Sequence, residues 1–385
     1  MFSRRSGFSR VPNRLARLCS EGPPVLDLAS ANPTQWGFDR PEAVARLGAP
    51  EGRYYAPEPR GAQAVRAAIV RYYRRRGAAV DPDDVIVSAS SSEAYGWLFK
   101  LLCDPGDVVL FPEPSYPLVP YLATLDGVSV QPYALVRADG WRIDVPRLEA
   151  LLERTPQARA IIVVHPGNPT GALVAAEERV RLDALGRAHG VALIADEVFF
   201  DYRHTEAESF AAGENGGVLR FVLSGLSKVA LLPQLKLGWC VVAGGTPTTR
   251  REARERLTLI SDCYLSVSTA AQLVTPSLLD DVEVVQAALR ARLAQNRTYL
   301  ASCCRGTPVS VWPSDGGWYA LLSFPRVRDD DDWLEVLVRR ARISVQPGYF
   351  YDIAEEGTFV VSLLLPPDVF ADAVTRLVAT VCEHA

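Results

Sequence analysis

Two of the chain's three lysines, Lys228 and Lys236, lie eight residues apart in "SGLSKVALLPQLKLGW", a segment otherwise made mostly of Gly, Ser, Leu and Val. The third is Lys100, and the three stand against 38 arginines. Where arginine is the default cation, each lysine is a candidate for something arginine cannot do. Arginine stays protonated, whereas a partly buried lysine sheds its proton and becomes an amine nucleophile able to form a Schiff base. Lysine also binds phosphate, as a point charge without a bidentate fork. The plainer alternative for either residue is a cation on a loop.

Other polar groups suited to holding a small molecule recur along the chain. Ser90, Ser91 and Ser92 stand in "SASSSEAYGW", Tyr116 in "PEPSYP", Asn168 in "HPGNPTG" and Asp196 in "ADEVFFDY", with Ser224 and Ser227 beside Lys228. Serines opening a helix offer N–H groups and hydroxyls to an anion at the positive helix end. They read equally as a capping box, Ser90 with Glu93. Asn-Pro commonly starts a turn, and an aromatic is usually core. Singly, each signal is weak.

Their meaning comes from the elements that must position them. "AQAVRAAIVRYYRRRG" is an amphipathic helix closing on Gly77. After it, the short apolar runs "DVIVSAS", "DVVLFPEPSYP", "GVSVQPYAL", "RAIIVVHPGNPTG", "VALIADEVFFDY" and "LRFVLSGLSK" alternate with helical segments. That alternation predicts a mainly parallel sheet covered on both faces. Ligands of such sheets bind beyond the carboxyl ends of the strands, and the candidates above stand where the runs end. The reading divides the chain into an arm (1–40) joining a small domain, a large domain (41–275), and the small C-terminal α+β domain (276–385) with "GGWYALLSF" and "TFVVSLLL" as strands.

Composition narrows the alternatives. The apolar content of 48% is ample for a core, and a net charge of −4 gives no basic excess for nucleic acid. Seven cysteines without CxxC spacing read as reduced thiols of a cytoplasmic protein. Four histidines and no HExxH predict no metal site. The start "MFSRRSGFSR" lacks the apolar stretch of a signal peptide, and no run approaches the ~18 apolar residues of a membrane span. No G-x-G-x-x-G follows a first strand, against a nicotinamide dehydrogenase.

In this order, "HPGNPTG", "ADEVFFDY", "SGLSKVALLPQLKLGW", "DGGWYALL" and "QPGYFYD" resemble the class I/II aminotransferases, fold-type-I enzymes of pyridoxal 5′-phosphate (PLP), across roughly residues 25–370. The resemblance implies an α/β fold: a mainly parallel seven-stranded sheet sandwiched by helices, with a smaller α+β domain. It makes Lys228 the Schiff-base lysine and Asp196 the partner of the pyridine nitrogen. Asn168 then donates to the cofactor's phenolic oxygen, and Tyr116 stacks on the ring. Ser90, Ser91, Ser92 and Ser227 fall to the phosphate, with Lys236 where most of the family has an arginine. Tyr55, with Tyr54 as the competing assignment, resembles the tyrosine reaching the phosphate of a neighbouring subunit, which implies a homodimer with shared sites. The implied reaction moves an amino group between an amino acid or amine donor and a keto acid acceptor. Decarboxylation, elimination or cyclisation on the same scaffold is the alternative.

Two departures bear on substrate. The family's "DE-x-Y" tyrosine is Phe199 here, and the small-domain arginine that clamps the substrate carboxylate is replaced by Val360. Selectivity is then expected from another cation, Arg40, or from contact with Trp36, Trp318 and Tyr349, with the bulk of the substrate supplying affinity.

Overall fold

Eight strands build the large sheet: β1 (Val85–Ser88), β2 (Val108–Glu113), β3 (Ser129–Ala138), β4 (Gly140–Ile143), β5 (Ala158–Val164), β6 (Ala192–Asp196), β7 (Leu219–Gly225) and β8 (Gly238–Gly244). Their spatial order is β1-β8-β7-β6-β5-β2-β3-β4. This is a computed structural model, and it describes residues 1–138, 140–213 and 217–385. The pairs β2–β3, β2–β5, β5–β6 and β6–β7 are parallel. β8 runs antiparallel to both β1 and β7. The seven expected strands are joined by β4, which pairs antiparallel with the edge strand β3. Only two of its residues, Trp141 and Ile143, are large and apolar, too few to stand out as a run.

Period-2 alternation, with both faces covered, explains why the middles of the central strands are apolar. Ile161 and Val163 of β5, Leu193 and Ala195 of β6, and Val222 of β7 face one apolar cluster. Ala160, Ile162, Ile194, Phe221 and Leu223 face the other. With helices on both faces, no residue of these strands needs to be polar until the chain leaves the sheet. Polar chemistry is therefore confined to the strand ends.

A second sheet of four strands, Ser310–Val311, Tyr319–Ser323, Thr358–Ser362 and Gln346–Pro347, is antiparallel. It packs with the helices Val282–Cys304 and Pro367–His384 around Trp318, Trp333, Phe359, Val360 and Phe370. The arm contributes Leu26–Asp27, which pairs in parallel with Ile343–Ser344. No helix among the described residues is long and apolar enough to cross a membrane.

A buried polar knot joins the two parts. Asp201 lies in the 3₁₀ turn Phe200–Tyr202 that follows β6, its side chain 3% exposed. It accepts from Arg76 Nε, from the Tyr72 hydroxyl at 2.8 Å and from Gln286 Nε2 at 2.7 Å. Gln286 also donates to the Val229 carbonyl at 2.9 Å, and its oxygen accepts from Arg76 at 2.8 Å. The Arg76 guanidinium lies 3.7 Å over the Tyr72 ring. Removing one partner of a buried ion pair strands the other charge, at a cost of about 3–5 kcal/mol. Asp201→Ala should therefore lose stability on that scale in urea denaturation. Adding Arg76→Met to it should recover part of the loss, because the uncompensated charge is gone. A loss below ~1 kcal/mol for Asp201→Ala would mean that water reaches the knot.

Candidate active site

Lys228 sits in the four-residue helical turn Leu226–Val229, directly after β7. Two glycines bring three segments together there. Gly225 and Gly238 are register partners on β7 and β8. A Cβ on Gly238 would stand 2.9 Å from the Ser90 carbonyl carbon, 3.0 Å from the Ser91 nitrogen and 3.1 Å from the Ser224 oxygen. Only glycine permits that approach. The strand end carrying Ser224, the start of β8 and the N-terminus of the helix Ser91–Leu102 therefore meet in backbone contact.

Around the lysine the walls are aromatic. Its Nζ lies 4.8 Å over the Trp318 ring and 5.5 Å over that of Phe199. Phe199 and Tyr202 each meet Trp318 edge-on, at centroid distances of 5.2 Å. The Tyr202 hydroxyl donates to the Lys228 carbonyl at 2.8 Å. Burial draws the lysine pKa down to about 8, opposed by the charge of Asp196. Asp196 ends β6. Burial pushes its carboxyl up to about 6, opposed by the N–H of Val198, the Tyr95 hydroxyl and the charge of Lys228. Val198 N donates to Oδ1 at 3.1 Å and Tyr95 donates to Oδ2 at 3.1 Å. An amine poised near neutrality thus faces a carboxylate held away from water.

The serines show both of their possible characters. Ser90 caps the helix, its Oγ accepting from Glu93 N at 3.1 Å while Glu93 accepts from Ala89 N at 2.6 Å. Ser91 and Ser92 open the helix, half-buried. The Ser224 hydroxyl and the Asn168 amide oxygen are buried without a partner among the described residues, and Ser227 is half-buried beside Lys228. Lys236 is exposed in a left-handed backbone position that caps the 3₁₀ turn Pro233–Leu235. Tyr116 is 47% exposed, and its neighbours include Tyr319 and Tyr351. Tyr54 and Tyr55 are each 65% exposed, so neither is a core residue.

Of the four substrate candidates, one lies against the lysine: Trp318. Tyr349 points elsewhere, its hydroxyl donating to Asp331 at 2.8 Å. Trp36 donates to Ser30 Oγ at 3.0 Å, and its carbonyl accepts from Arg292 at 2.5 Å. Arg40 pairs with Glu42 at 3.2 Å, while its Nη1 is buried without a partner. Val360 is fully buried, opposite Leu321 and Gln346. No position of Thr358–Ser362 holds a cation. A surface groove of about 870 Å³ runs along the helix Ala176–His189 and includes none of these residues.

Three contributors escaped the sequence reading. Tyr95 and Tyr202 sit in quoted segments but look like core aromatics, because only tertiary contact shows what their hydroxyls reach. Asp201 reads as an ordinary turn carboxylate. For Tyr95 a signal existed: it lies four residues after Ser91, on the same helix face.

Residues 23–377 match the model of the family "Aminotransferase class I and II". An alanine aminotransferase of Mycobacterium bovis is 31% identical over 239 residues, 61% of this chain and 55% of the relative. The match thus spans little more than half the length of that relative. An LL-diaminopimelate aminotransferase of Desulforudis audaxviator is 27% identical over 379 residues, covering 96% of this chain and 94% of that one. In structure, an alanine aminotransferase of Pyrococcus furiosus superposes with a TM-score of 0.88 at 24% identity, over 100% of both chains. The family match takes in every strand of the large sheet and the Lys228 turn, and the chain belongs to the class I and II aminotransferases.

Proposed function

We propose that the chain is a PLP-dependent aminotransferase that moves an amino group between an amino acid or amine and a keto acid, with Lys228 as the cofactor-bearing residue. The observation carrying this reading is the half-buried pair of Lys228 and Asp196, near pKa 8 and 6, at the carboxyl edge of the sheet. PLP is the cofactor of the family, and the residues fit it. The Ser224 hydroxyl, which is buried with no hydrogen-bond partner among the described residues, the helix opened by Ser91 and Ser92, and the half-buried Asp196 carboxylate are what a phosphorylated pyridine requires. When bound, PLP supplies an aldehyde that condenses with amines and a ring that accepts the electron pair of a breaking Cα–H bond.

The protein's part follows from its groups. Ser90, Ser91, Ser92, Ser227 and Lys236 hold the phosphate, Asn168 the phenolic oxygen, Asp196 the ring nitrogen, and Tyr116 the ring face. Lys228 Nζ, once released, moves a proton from the substrate α-carbon as general base and returns it as acid, a role suited to an amine with pKa near 8. Phe199 and Trp318 exclude water from that amine. Residues 41–275 carry these groups, with 1–40 and 276–385 closing over them. Borohydride reduction of the holoenzyme should leave a pyridoxyl adduct on Lys228, and an adduct on Lys100 or Lys236 would overturn the assignment.

The lysine's titration is separately measurable. Competitive amine labelling of the apoprotein, read by mass spectrometry, should show Lys228 gaining reactivity with a midpoint near pH 8. Below that pH it is protonated and unreactive. Lys100, whose burial is outweighed by its ion pair with Asp126, is held above the usual lysine value and should react only at higher pH. Asp196→Asn removes the charge that supports the ammonium form, so the Lys228 midpoint should fall. A rise, or no change, would show that the two groups do not face each other.

The homodimer is part of the proposal. Glu58 N donates to Ser266 Oγ at 2.9 Å, which ties the segment after the exposed Tyr54 and Tyr55 to the segment after the exposed Tyr264 and Leu265. These exposed apolar residues suit a second copy of the chain. Tyr55 then serves the neighbouring phosphate. Mixing an inactive Tyr55→Ala variant with an inactive Lys228→Ala variant should restore up to about a quarter of the wild-type activity, since one of the two sites in a mixed dimer is intact. Absence of recovery despite subunit exchange would rule out shared sites.

The substrate is the remaining element. Val360 stands in an apolar core, so no charge-assisted clamp on a carboxylate comes from that strand. Each such bond contributes about 1.5–3 kcal/mol, a tenfold effect or more. Glutamate, aspartate and alanine should therefore react poorly beside bulky or aromatic amines in half-reactions followed by the spectrum of the holoenzyme. Fast, tight turnover of glutamate or aspartate would contradict this. Stoichiometric formation of pyridoxamine phosphate identifies transamination. Release of carbon dioxide or a side-chain fragment with PLP regenerated would identify the alternative chemistry instead.

A further inference from the structure

We infer that Tyr95 is a positioning residue for Asp196, fixing the carboxylate that meets the cofactor's ring nitrogen. The inference rests on the cofactor reading above. Tyr95 is 2% exposed, and its hydroxyl has one hydrogen-bond partner among the described residues, Asp196 Oδ2 at 3.1 Å. The ring is held by Phe99, four residues on, at a centroid distance of 6.0 Å. Asp196 Oδ1 is taken by Val198 N at 3.1 Å. Each carboxylate oxygen therefore carries one fixed donor, and the carboxylate cannot rotate without losing both.

The geometry of the helix gives the arrangement its point. Tyr95 lies four residues beyond Ser91 and three beyond Ser92, on the same face and about 5 Å further along the axis. The helix that presents its N-terminus to the phosphate thus orients, through Tyr95, the acid at the other end of the same ligand. Phosphate grip and ring-nitrogen grip are locked to one rigid element.

The groups that set the charge of Asp196 are few. Lys228 and Tyr95 face it, and Tyr133 lies beyond Tyr95. Burial of the Tyr95 phenol and the adjacent Asp196 charge hold its pKa well above the ordinary tyrosine value, so it remains a donor throughout the working range. Without it, burial acts on Asp196 with one support fewer, and the carboxyl takes its proton at higher pH.

The variant Tyr95→Phe removes one oxygen and keeps the ring. In pH-difference infrared spectra of the apoprotein, with Asp196→Asn as background, the Asp196 carboxyl should titrate near pH 6 in the wild type and higher in Tyr95→Phe. PLP affinity by equilibrium dialysis should weaken about tenfold in the variant. For a PLP analogue with carbon in place of the ring nitrogen, the variant and wild type should bind alike, since Asp196 then has no N–H to meet. An equal loss for PLP and analogue would mark Tyr95 as structural only and overturn the inference, as would an unmoved Asp196 midpoint. Failure of the wild type to bind PLP would instead sink the cofactor reading, while the infrared comparison still decides whether Tyr95 governs Asp196.

Discussion

Lys228 is held from behind by a carboxylate it never touches. Asp201 gathers Arg76, Tyr72 and Gln286, and Gln286 extends the grip to the carbonyl of Val229, the residue after Lys228. Next to it, Tyr202 ties down the carbonyl of Lys228 itself. A short helical turn of four residues has little stability of its own. Its carbonyls are fixed because side chains from the turn after β6 and from the helix Val282–Cys304 bond to them. The direction in which the lysine amine projects is thus decided by tertiary contacts rather than by the turn.

The same economy governs the electrostatics. A lone buried ammonium or carboxylate would discharge. Lys228 and Asp196 are half-buried together, and each moderates the shift that desolvation imposes on the other. Their pKa values converge toward neutrality from opposite sides, which leaves both charged between roughly pH 6 and 8 and the amine within easy reach of its neutral form. Aromatic walls keep water out without adding a competing charge.

Much of this was legible in the chain. The strand-end rule picks out Ser90–Ser92, Asn168, Asp196 and Lys228 because a sheet buried on both faces tolerates polarity only where strands stop. Scarcity of lysine sharpened the choice of Lys228. What stayed hidden depends on where side chains meet across the fold. The hydroxyls of Tyr95 and Tyr202 leave no trace in apolar periodicity, and Asp201 is one carboxylate among many until Arg76 arrives from a distant helix. The same limit explains why Tyr349, Trp36 and Arg40 found partners away from the lysine, in Asp331, Ser30 and Glu42. Spacing indicates which strand or loop a residue occupies, not which neighbour wins its polar group. The edge strand β4 was missed for a simpler reason: it is too short to show a pattern.

The helix Val282–Cys304 has 23 residues and bonds outward at three levels. Gln286 reaches the lysine turn, Arg292 the carbonyls of Trp36 and Leu364, and Asn296 the carbonyls of Leu363 and Leu365. A straight helix of this length is a stiff rod, rising about 1.5 Å per residue. A tilt that lengthens one of these bonds must displace the others, so arm, small sheet and lysine turn move as a linkage rather than as separate hinges. Mechanically the rod acts as a tie-bar that holds three distant contacts at fixed spacing.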